Sequence, residues 1–228
     1  MKIQDNIINL WSTPIGTFYN ENHHKIKNDL IEFFNSYKLN NSKSKKADEN
    51  IRLYESAYNI HTLRNSSYEK LMYFIAESMK KISLEANKDF KINQNNLTIS
   101  VIESWFIIYE KNGFVAPHIH GGCSWSCVYY VQCDEDLDVY NGETYLQKPF
   151  VDRLRHDEGS RYLQFETRNF TPKEGLLVVW PSHIIHGSLP YAGKKERIIV
   201  SANSTIQKNE YLGVTSLQLM LKDLRACQ

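Results

Sequence analysis

Two histidines with one residue between them, His118 and His120, are the side chains of this sequence whose type and spacing most directly predict chemistry. Residues i and i+2 of a strand project from the same face, so an HxH pair presents two imidazoles side by side. That arrangement suits a metal ion, because neutral imidazole is a common metal ligand. The pair alone is also compatible with two surface histidines, so other residues must decide.

A third histidine follows an apolar run that ends in a proline turn. The run is Leu176–Trp180, and His183 and His186 come after it. Because the two histidines are three residues apart, they face opposite sides of an extended chain, and only one should join the HxH pair. We choose His186, which Gly187 follows and which precedes an informative arginine.

That arginine, Arg197, begins an apolar strand in which it shares a face with Ile199, Ser201 and Asn203. Burying an arginine is costly unless it meets an anion, and its planar fork matches a carboxylate. The alternative is a rim arginine that pairs with Glu196 or with solvent. The order HxH, His and then Arg on the next strand favours a metal site beside a bound carboxylate.

Composition excludes several classes of function. With Lys+Arg 27 and Asp+Glu 26 the net charge is +1, so no strong field favours nucleic acid. The first residues are polar and no apolar stretch reaches the ~20 residues that cross a bilayer, so we expect a cytoplasmic protein without a membrane partner. The four cysteines form no second pair for a zinc site, and we expect reduced thiols at Cys123, Cys127, Cys133 and Cys227.

Hydrophobic periodicity divides the chain into helices first and strands afterwards. Helical spacing predicts amphipathic helices over Asn22–Tyr37 and Ser67–Asn87, with a polar loop over Leu39–Asn50. An edge strand is expected within Asp5–Tyr19. Later β-rich runs predict strands at Leu97–Tyr109, Trp125–Val131, Leu163–Phe165, Leu176–Trp180 and Arg197–Ala202. This order is typical of an α+β fold, mainly β, with helices on one face of an antiparallel sheet or double-sheet barrel.

Taken together, these motifs resemble the 2-oxoglutarate and Fe(II)-dependent oxygenases, in particular an uncharacterised branch of that superfamily. The resemblance extends over about Val101–Ser204, with Trp11–Ile15 similar to the opening segment of the branch. It is carried by Trp105, Gly113, His118-x-His120, Ser124–Val131, Gly175–Ser182, His186 and Glu196–Asn203. It implies a double-stranded β-helix, a jelly-roll or cupin-like barrel, with the N-terminal helices packed on one sheet. We expect a single domain over 1–228: a helical and edge region to about 96, the barrel over about 97–206, and a C-terminal segment 207–228.

The resemblance also implies roles for individual residues. It places the first iron ligand at His118, the distal histidine at His186, and the group that binds the far carboxylate of 2-oxoglutarate at Arg197. Tyr109, Tyr129 and Ser201 are further candidates for contact with 2-oxoglutarate, by their hydroxyl groups.

His120 departs from the family pattern, which has Asp or Glu at that position to complete a triad of two histidines and one carboxylate. His120 is a ligand in a three-histidine face, or it points away and a water or halide fills the vacancy. In the third alternative the register is shifted, so that His120 is the first ligand and Gly122 the empty position, as in the halogenases. A neutral ligand in place of a carboxylate would leave the ferrous site more positive and favour anionic 2-oxoglutarate.

The expected activity is that of a hydroxylase with Fe(II), 2-oxoglutarate and O2 as cofactors, which releases succinate and CO2. We expect an amino acid, peptide side chain or small metabolite as substrate, no nucleic acid, and leave a homodimer open. The alternatives are a three-His cupin-type dioxygenase that does not use 2-oxoglutarate, a 2-oxoglutarate-dependent halogenase, and a non-catalytic jelly-roll binding module.

Overall fold

The computed structural model describes residues 12–41, 52–90, 97–134, 138, 140–149, 158–163 and 166–208. Within these ranges the chain forms two α-helices, α1 (His23–Asn40) and α2 (Ser66–Ala86), and two antiparallel β-sheets. Short 3-10 helices occur at Ile60–Thr62 and Glu158–Leu163. No helix in the described ranges is long and apolar enough to cross a membrane.

The larger sheet has six strands in the order β1-β8-β5-β10-β3-β2. Its centre is β10, which pairs with β3 on one side and β5 on the other. The strands are β1 (Gly16–Tyr19), β2 (Leu53–Glu55), β3 (Leu97–Tyr109), β5 (Trp125–Gln132), β8 (Leu176–Pro181) and β10 (Arg197–Lys208).

The smaller sheet has four strands, β4 (Val115–His118), β6 (Thr144–Gln147), β7 (Thr167–Phe170) and β9 (His186–Ser188). Their order across the sheet is β4-β9-β6-β7, and the neighbouring strands β4 and β9 include His118 and His186. A second hydrophobic core that includes Ile107, Val128, Leu146 and Ile199 draws on strands of both sheets. The two sheets therefore face each other, as the double-sheet barrel expected from the sequence requires.

The helices cover the outer face of the larger sheet, as the hydrophobic pattern predicts. Alternate residues of β10, such as Ile198 and Val200, share one core with the apolar faces of α1 and α2. On α1, Phe34 is fully buried and stacks on Phe106 of β3 with ring centroids 4.3 Å apart. On α2, Ile75 is fully buried in the same core. Since both faces of the sheet are covered, its central strands are apolar on both sides.

Most predicted elements lie within a few residues of the observed ones. Both helices, the edge strand β1 and the strands β3, β5 and β8 are confirmed. The predicted strand Leu163–Phe165 is wrong at Leu163, which ends a 3-10 helix, and the strand begins at Thr167, where pairing with β6 starts. The predicted Leu39–Asn50 loop is wrong at its start because α1 continues to Asn40, and residues 42–50 lie outside the described residues.

Cys123, Cys127 and Cys133 are free thiols in the structure, as predicted, while Cys227 lies outside the described residues.

The structure also contains strands that the pattern did not predict. β10 continues to Lys208, six residues beyond the expected end, because β3 pairs along its whole length. β2 and β6 were not predicted, since three- and four-residue strands are too short to show a period.

The two helices begin at asparagines that differ in capping, and this difference gives a stability prediction. The side chain of Asn65 accepts a hydrogen bond of 2.9 Å from the backbone N–H of Tyr68, whereas the exposed Asn22 makes no side-chain cap on α1. We expect Asn65→Ala to lower the free energy of unfolding by about 1 kcal/mol, the usual cost of a lost cap, in urea denaturation. Asn22→Ala is the matched control; equal losses in the two variants would contradict the assignment.

Candidate metal centre and active-site cavity

Three histidines converge where β4 and β9 meet. His118 and His186 are direct partners in the antiparallel pairing of these strands, and His120 follows two residues after His118. Ligand nitrogens of all three lie within 4.8 Å of one another. The ring centroids are 4.3 Å apart for His118 and His186, and 5.0 Å for each pair that includes His120. Three imidazole nitrogens at this spacing could hold one metal ion.

Backbone carbonyls orient two of the three imidazoles. Nδ1 of His118 lies 2.9 Å from the carbonyl oxygen of Ala116, and Nδ1 of His186 lies 2.8 Å from that of Ile184. A carbonyl only accepts, so each Nδ1 carries the proton and donates it. Each ring can therefore present Nε2 to a metal, the arrangement by which metal-binding histidines are usually held in place.

The third histidine, His120, is held by its backbone and by an aromatic neighbour. Its backbone N–H donates to the carbonyl oxygen of Ser182 at 3.0 Å, and its ring centroid lies 5.5 Å from that of Trp105. The imidazole turns towards His118 and His186, which argues against the alternative in which it points away. His183, by contrast, is exposed, in keeping with the choice of His186 over it.

Burial keeps the most enclosed of these rings neutral. His186 is 5% exposed, and desolvation is the main cause that lowers its pKa to about 3. The neighbouring His118 and His120 lower it further, while the hydrogen bond to Ile184 opposes the shift. Since the folded-state pKa lies below the ordinary value of 6.5, the ring is neutral at physiological pH. A neutral imidazole is the form that binds a metal.

The histidines lie on one wall of a cavity of about 190 Å³ between the two sheets. Trp105, Tyr109 and Trp180 give it aromatic walls, and Ile107 and Ile199 line it between them. Trp180 also contacts His186, with ring centroids 4.7 Å apart. The arrangement is a mostly apolar pocket with a few convergent polar groups, which is typical of small-molecule sites.

Arg197 is completely buried, so the alternative of a rim arginine is wrong. Its guanidinium lies over the rings of Tyr109 and Tyr130, 4.3 and 5.4 Å from their centroids. Nη2 donates to the hydroxyl of Thr144 at 3.3 Å, while Nε and Nη1 have no hydrogen-bond partner among the described residues. Tyr109 and Thr144 line the cavity. A buried cation with unused donors beside a cavity is where an anion would be most stabilised.

The structure brings two of the three other candidates to the cavity and not the third. Tyr109 and Ser201 line it. Tyr129 lies opposite Val200 in the sheet and faces the helices, where its hydroxyl bonds Nδ1 of His23 at 2.7 Å. The prediction that Tyr129 contacts 2-oxoglutarate is therefore wrong, because adjacent residues of a strand face opposite sides and Tyr130 is the one turned inward.

Sequence reasoning missed Tyr130 and Thr144, which lie beside Arg197. The hydroxyl of Tyr130 donates to Thr144 at 2.7 Å, so the two residues form one polar group next to the guanidinium. Thr144 belongs to a strand too short to predict. Tyr130 could have been found only from the register of β5 against β10, in which it lies opposite Ile199.

Comparison with protein families finds one match that contains the whole constellation. Residues 103–203 match the family described as "Putative 2OG-Fe(II) oxygenase". That segment includes the three histidines and Arg197. A search of the curated proteins found no match to this sequence. The resemblance inferred from the motifs is thereby confirmed.

Solved structures with the same fold include several oxygenases. A prolyl-4-hydroxylase of Pseudomonas putida is similar with a TM-score of 0.54 and 16% identity, over 86% of this chain and 94% of that chain. A prolyl hydroxylase of Trichoplax adhaerens, solved with a hypoxia inducible factor peptide fragment, has a TM-score of 0.56 and 12% identity over 84% and 83%. The epimerase SnoN, solved with Fe3+, alpha ketoglutarate and nogalamycin RO, has a TM-score of 0.57 and 10% identity over 86% and 81%. At these identities the likeness shows the fold, and the predicted jelly-roll barrel is confirmed.

The geometry predicts that His120 contributes to metal binding. We expect His120→Ala to weaken Fe(II) binding by more than the ~10- to 100-fold that loss of an outer-shell partner costs, because a direct ligand is removed. The measurement is anaerobic competition with a chromophoric chelator. The exposed His183→Ala is the matched control and should bind Fe(II) like the wild type. Unchanged affinity in His120→Ala would show that the metal is held by His118 and His186 without it.

Proposed function

We propose that this chain, whose residues 103–203 match the family described as "Putative 2OG-Fe(II) oxygenase", hydroxylates an amino acid, a peptide side chain or a small metabolite. The observation that carries the proposal is the position of Arg197, a buried guanidinium with unused donors beside the cavity that also contains the three histidines. A metal site and a carboxylate site in one pocket are what an oxygenase with a keto-acid co-substrate requires.

The residues present fit the expected metal. His118, His120 and His186 offer three imidazole nitrogens, and imidazole suits iron. When bound, Fe(II) with 2-oxoglutarate and O2 supplies the oxidative decarboxylation that yields succinate and CO2 and oxidises a C–H bond of the substrate. The protein's part is to hold the ligands in place, to orient the co-substrate and to exclude water.

Three neutral ligands give this site a different charge from a site with a carboxylate. An Asp or Glu ligand would cancel one charge of Fe(II), whereas three imidazoles leave both charges in place. The attraction for an anionic co-substrate is then greater, and it is strengthened by the low dielectric of the buried cavity. Together with Arg197 the proposed centre favours a ligand that is negative at both ends.

Arg197 is proposed to bind the far carboxylate of 2-oxoglutarate. The stacking of its guanidinium on Tyr109 holds the fork in one orientation, so little further entropy is lost on binding. Tyr109 and Thr144 line the cavity next to the guanidinium, and their hydroxyls can complete the site. Ser201 lies four residues after Arg197 on the same face of β10. It is a weaker candidate for contact with 2-oxoglutarate because it lies opposite Trp105 and not beside Arg197.

The three-histidine face favours one second candidate, a cupin-type dioxygenase that needs no keto acid. The two functions differ in their requirement for 2-oxoglutarate and for Arg197. A halogenase would be revealed by its product in the presence of chloride, and a binding module by the absence of turnover.

An anaerobic titration tests the proposed function. We expect Fe(II) and then 2-oxoglutarate to bind stoichiometrically and to produce a visible metal-to-ligand charge-transfer band, because the keto acid would chelate the metal. On exposure to O2, 2-oxoglutarate should be converted to succinate. If the protein binds Fe(II) without any effect of 2-oxoglutarate, the cupin-type alternative is supported; if it binds neither, the catalytic proposal fails.

Substitution of Arg197 tests its role. We expect Arg197→Met to weaken 2-oxoglutarate binding by roughly 30-fold or more, because truncating one partner of a buried charge pair costs ~2–5 kcal/mol. Arg197→Lys keeps the charge but loses the fork, so its affinity should lie between those of Arg197→Met and the wild type. The matched control is Arg64→Met, at an exposed arginine outside the cavity. Equal 2-oxoglutarate affinities in Arg197→Met and wild type would contradict the assignment.

A further inference from the structure

A buried cation, Arg197, lies beside the cavity at one end of the strand pair β10–β3, and Glu103 lines the cavity at the other end. Along the paired strands β10 and β3, Arg197 lies opposite Tyr109, and six residues further Asn203 lies opposite Glu103. At ~3.3 Å per residue the two ends are roughly 20 Å apart. Between them lies Trp105, whose ring centroid is 5.5 Å from that of His120. If 2-oxoglutarate occupies the Arg197 end, the Glu103 end is left for the primary substrate.

The Glu103 carboxylate is held in place by a chain of hydrogen bonds. Oε2 of Glu103 accepts from Nδ2 of Asn203 at 2.8 Å, and Oδ1 of Asn203 accepts from the hydroxyl of Ser126 at 2.8 Å. Because the hydroxyl occupies Oδ1, the amide can only donate towards Glu103. Asn203 is fully buried, so the support is rigid. The carboxylate is thus oriented at the cavity wall rather than free to turn into solvent.

A second carboxylate and a tyrosine lie between Glu103 and the Arg197 end, because Glu55 pairs with Ile107 of β3. Glu55 on β2 is 2% exposed and lines the cavity, as does Tyr58. The pKa of Tyr58 is raised to about 12 by burial, then by the charge of Glu55 and a hydrogen bond to it, and by the charge of Glu103. The phenol therefore stays protonated and donates to Glu55. Its ring lies 4.9 Å from that of Trp105, which adds two aromatic faces beside two carboxylates.

Two further observations point to a ligand at the Glu103 end. The indole N–H of Trp105 has no hydrogen-bond partner among the described residues, although the side chain is 5% exposed and lines the cavity. Among the residues that the structure describes, no lysine or arginine forms an ion pair with Glu103. His61 lies near it, but burial lowers the pKa of His61, against the pull of Glu103, and favours the neutral ring.

We propose that the Glu103 end of the cavity binds a cationic group of the primary substrate, a protonated amine or a guanidinium, with a neighbouring acceptor atom on the indole N–H of Trp105. The inference rests on the proposed function and names the substrate class of that same site. A cation there gains charge-assisted hydrogen bonds to oriented carboxylates and lies against the faces of Trp105 and Tyr58. An anionic substrate would be repelled by the same groups.

Matched pairs of probes test this inference. The probes are L-lysine and L-arginine, free and within capped tripeptides, against the neutral isosteres L-norleucine and L-citrulline in the same two formats. Calorimetry on the protein with and without Fe(II) and 2-oxoglutarate gives affinities, and succinate formation gives turnover. We expect at least one cationic probe to bind about ten-fold or more tighter than its isostere.

Substitutions test whether the tighter binding of cationic probes depends on Glu103. Glu103→Gln keeps the shape and the acceptor for Asn203, and it should reduce the cationic preference to about three-fold or less. Glu55→Gln is a second variant, at the carboxylate that is hydrogen-bonded to Tyr58. Glu110→Gln, at an exposed glutamate just beyond β3, is the matched control and should keep the full preference. Titration with 2-oxoglutarate verifies that each variant is folded.

Two results would overturn the inference: no cationic probe binds more tightly than its isostere, or Glu103→Gln keeps the wild-type preference. A protein that binds no 2-oxoglutarate but still prefers the cationic probes in calorimetry would instead overturn the proposed function and leave the subsite standing.

Discussion

Hydrogen bonding of the central strand β10 on both sides is the constraint on which the rest of the molecule depends. Because β3 and β5 fix its register, the alternation of its residues cannot slip without moving every side chain to the opposite face. Ile198, Val200 and Ala202 support the helices, and Ile199 and Ser201 line the cavity. The same pairing places Arg197 opposite Tyr109 and Asn203 opposite Glu103, and both of these β3 residues line the cavity.

The cavity is also a place where charges are costly unless they are paired. Arg197 is buried without a carboxylate partner in the described residues, and its donors are only partly used. Glu55 and Glu103 line the cavity with the aromatic neighbours Tyr58 and Trp105. In a stable fold, groups of this kind are retained where they bind something. Arg197 and Glu103 are six residues apart along the paired strands β10 and β3, so the anion and the cation that we propose would bind at different positions along one strand pair.

Local patterns were sufficient for the helices and for the longer strands. The apolar positions of α2 recur at helical spacing over 21 residues, which no strand could accommodate. The short strands of the smaller sheet gave no such signal, and Leu163, placed in a strand, ends a 3-10 helix. The error at Tyr129 has a similar origin, because the face that a residue of a fully buried strand presents depends on its partner strand. The single-domain boundaries remain a prediction.

The sequence alone identified the residues that could do chemistry: an HxH pair, a later histidine and an arginine at the start of a strand. These are local properties, set by residue type and by the two-residue period of a strand. Only the tertiary structure decided that His120 turns towards His186, that Thr144 and Tyr130 surround Arg197, and that Glu55 and Glu103 share the cavity with the histidines. The physical reason is that these contacts join residues far apart in the chain, through strand pairing and the packing of one sheet on the other, which no local pattern specifies.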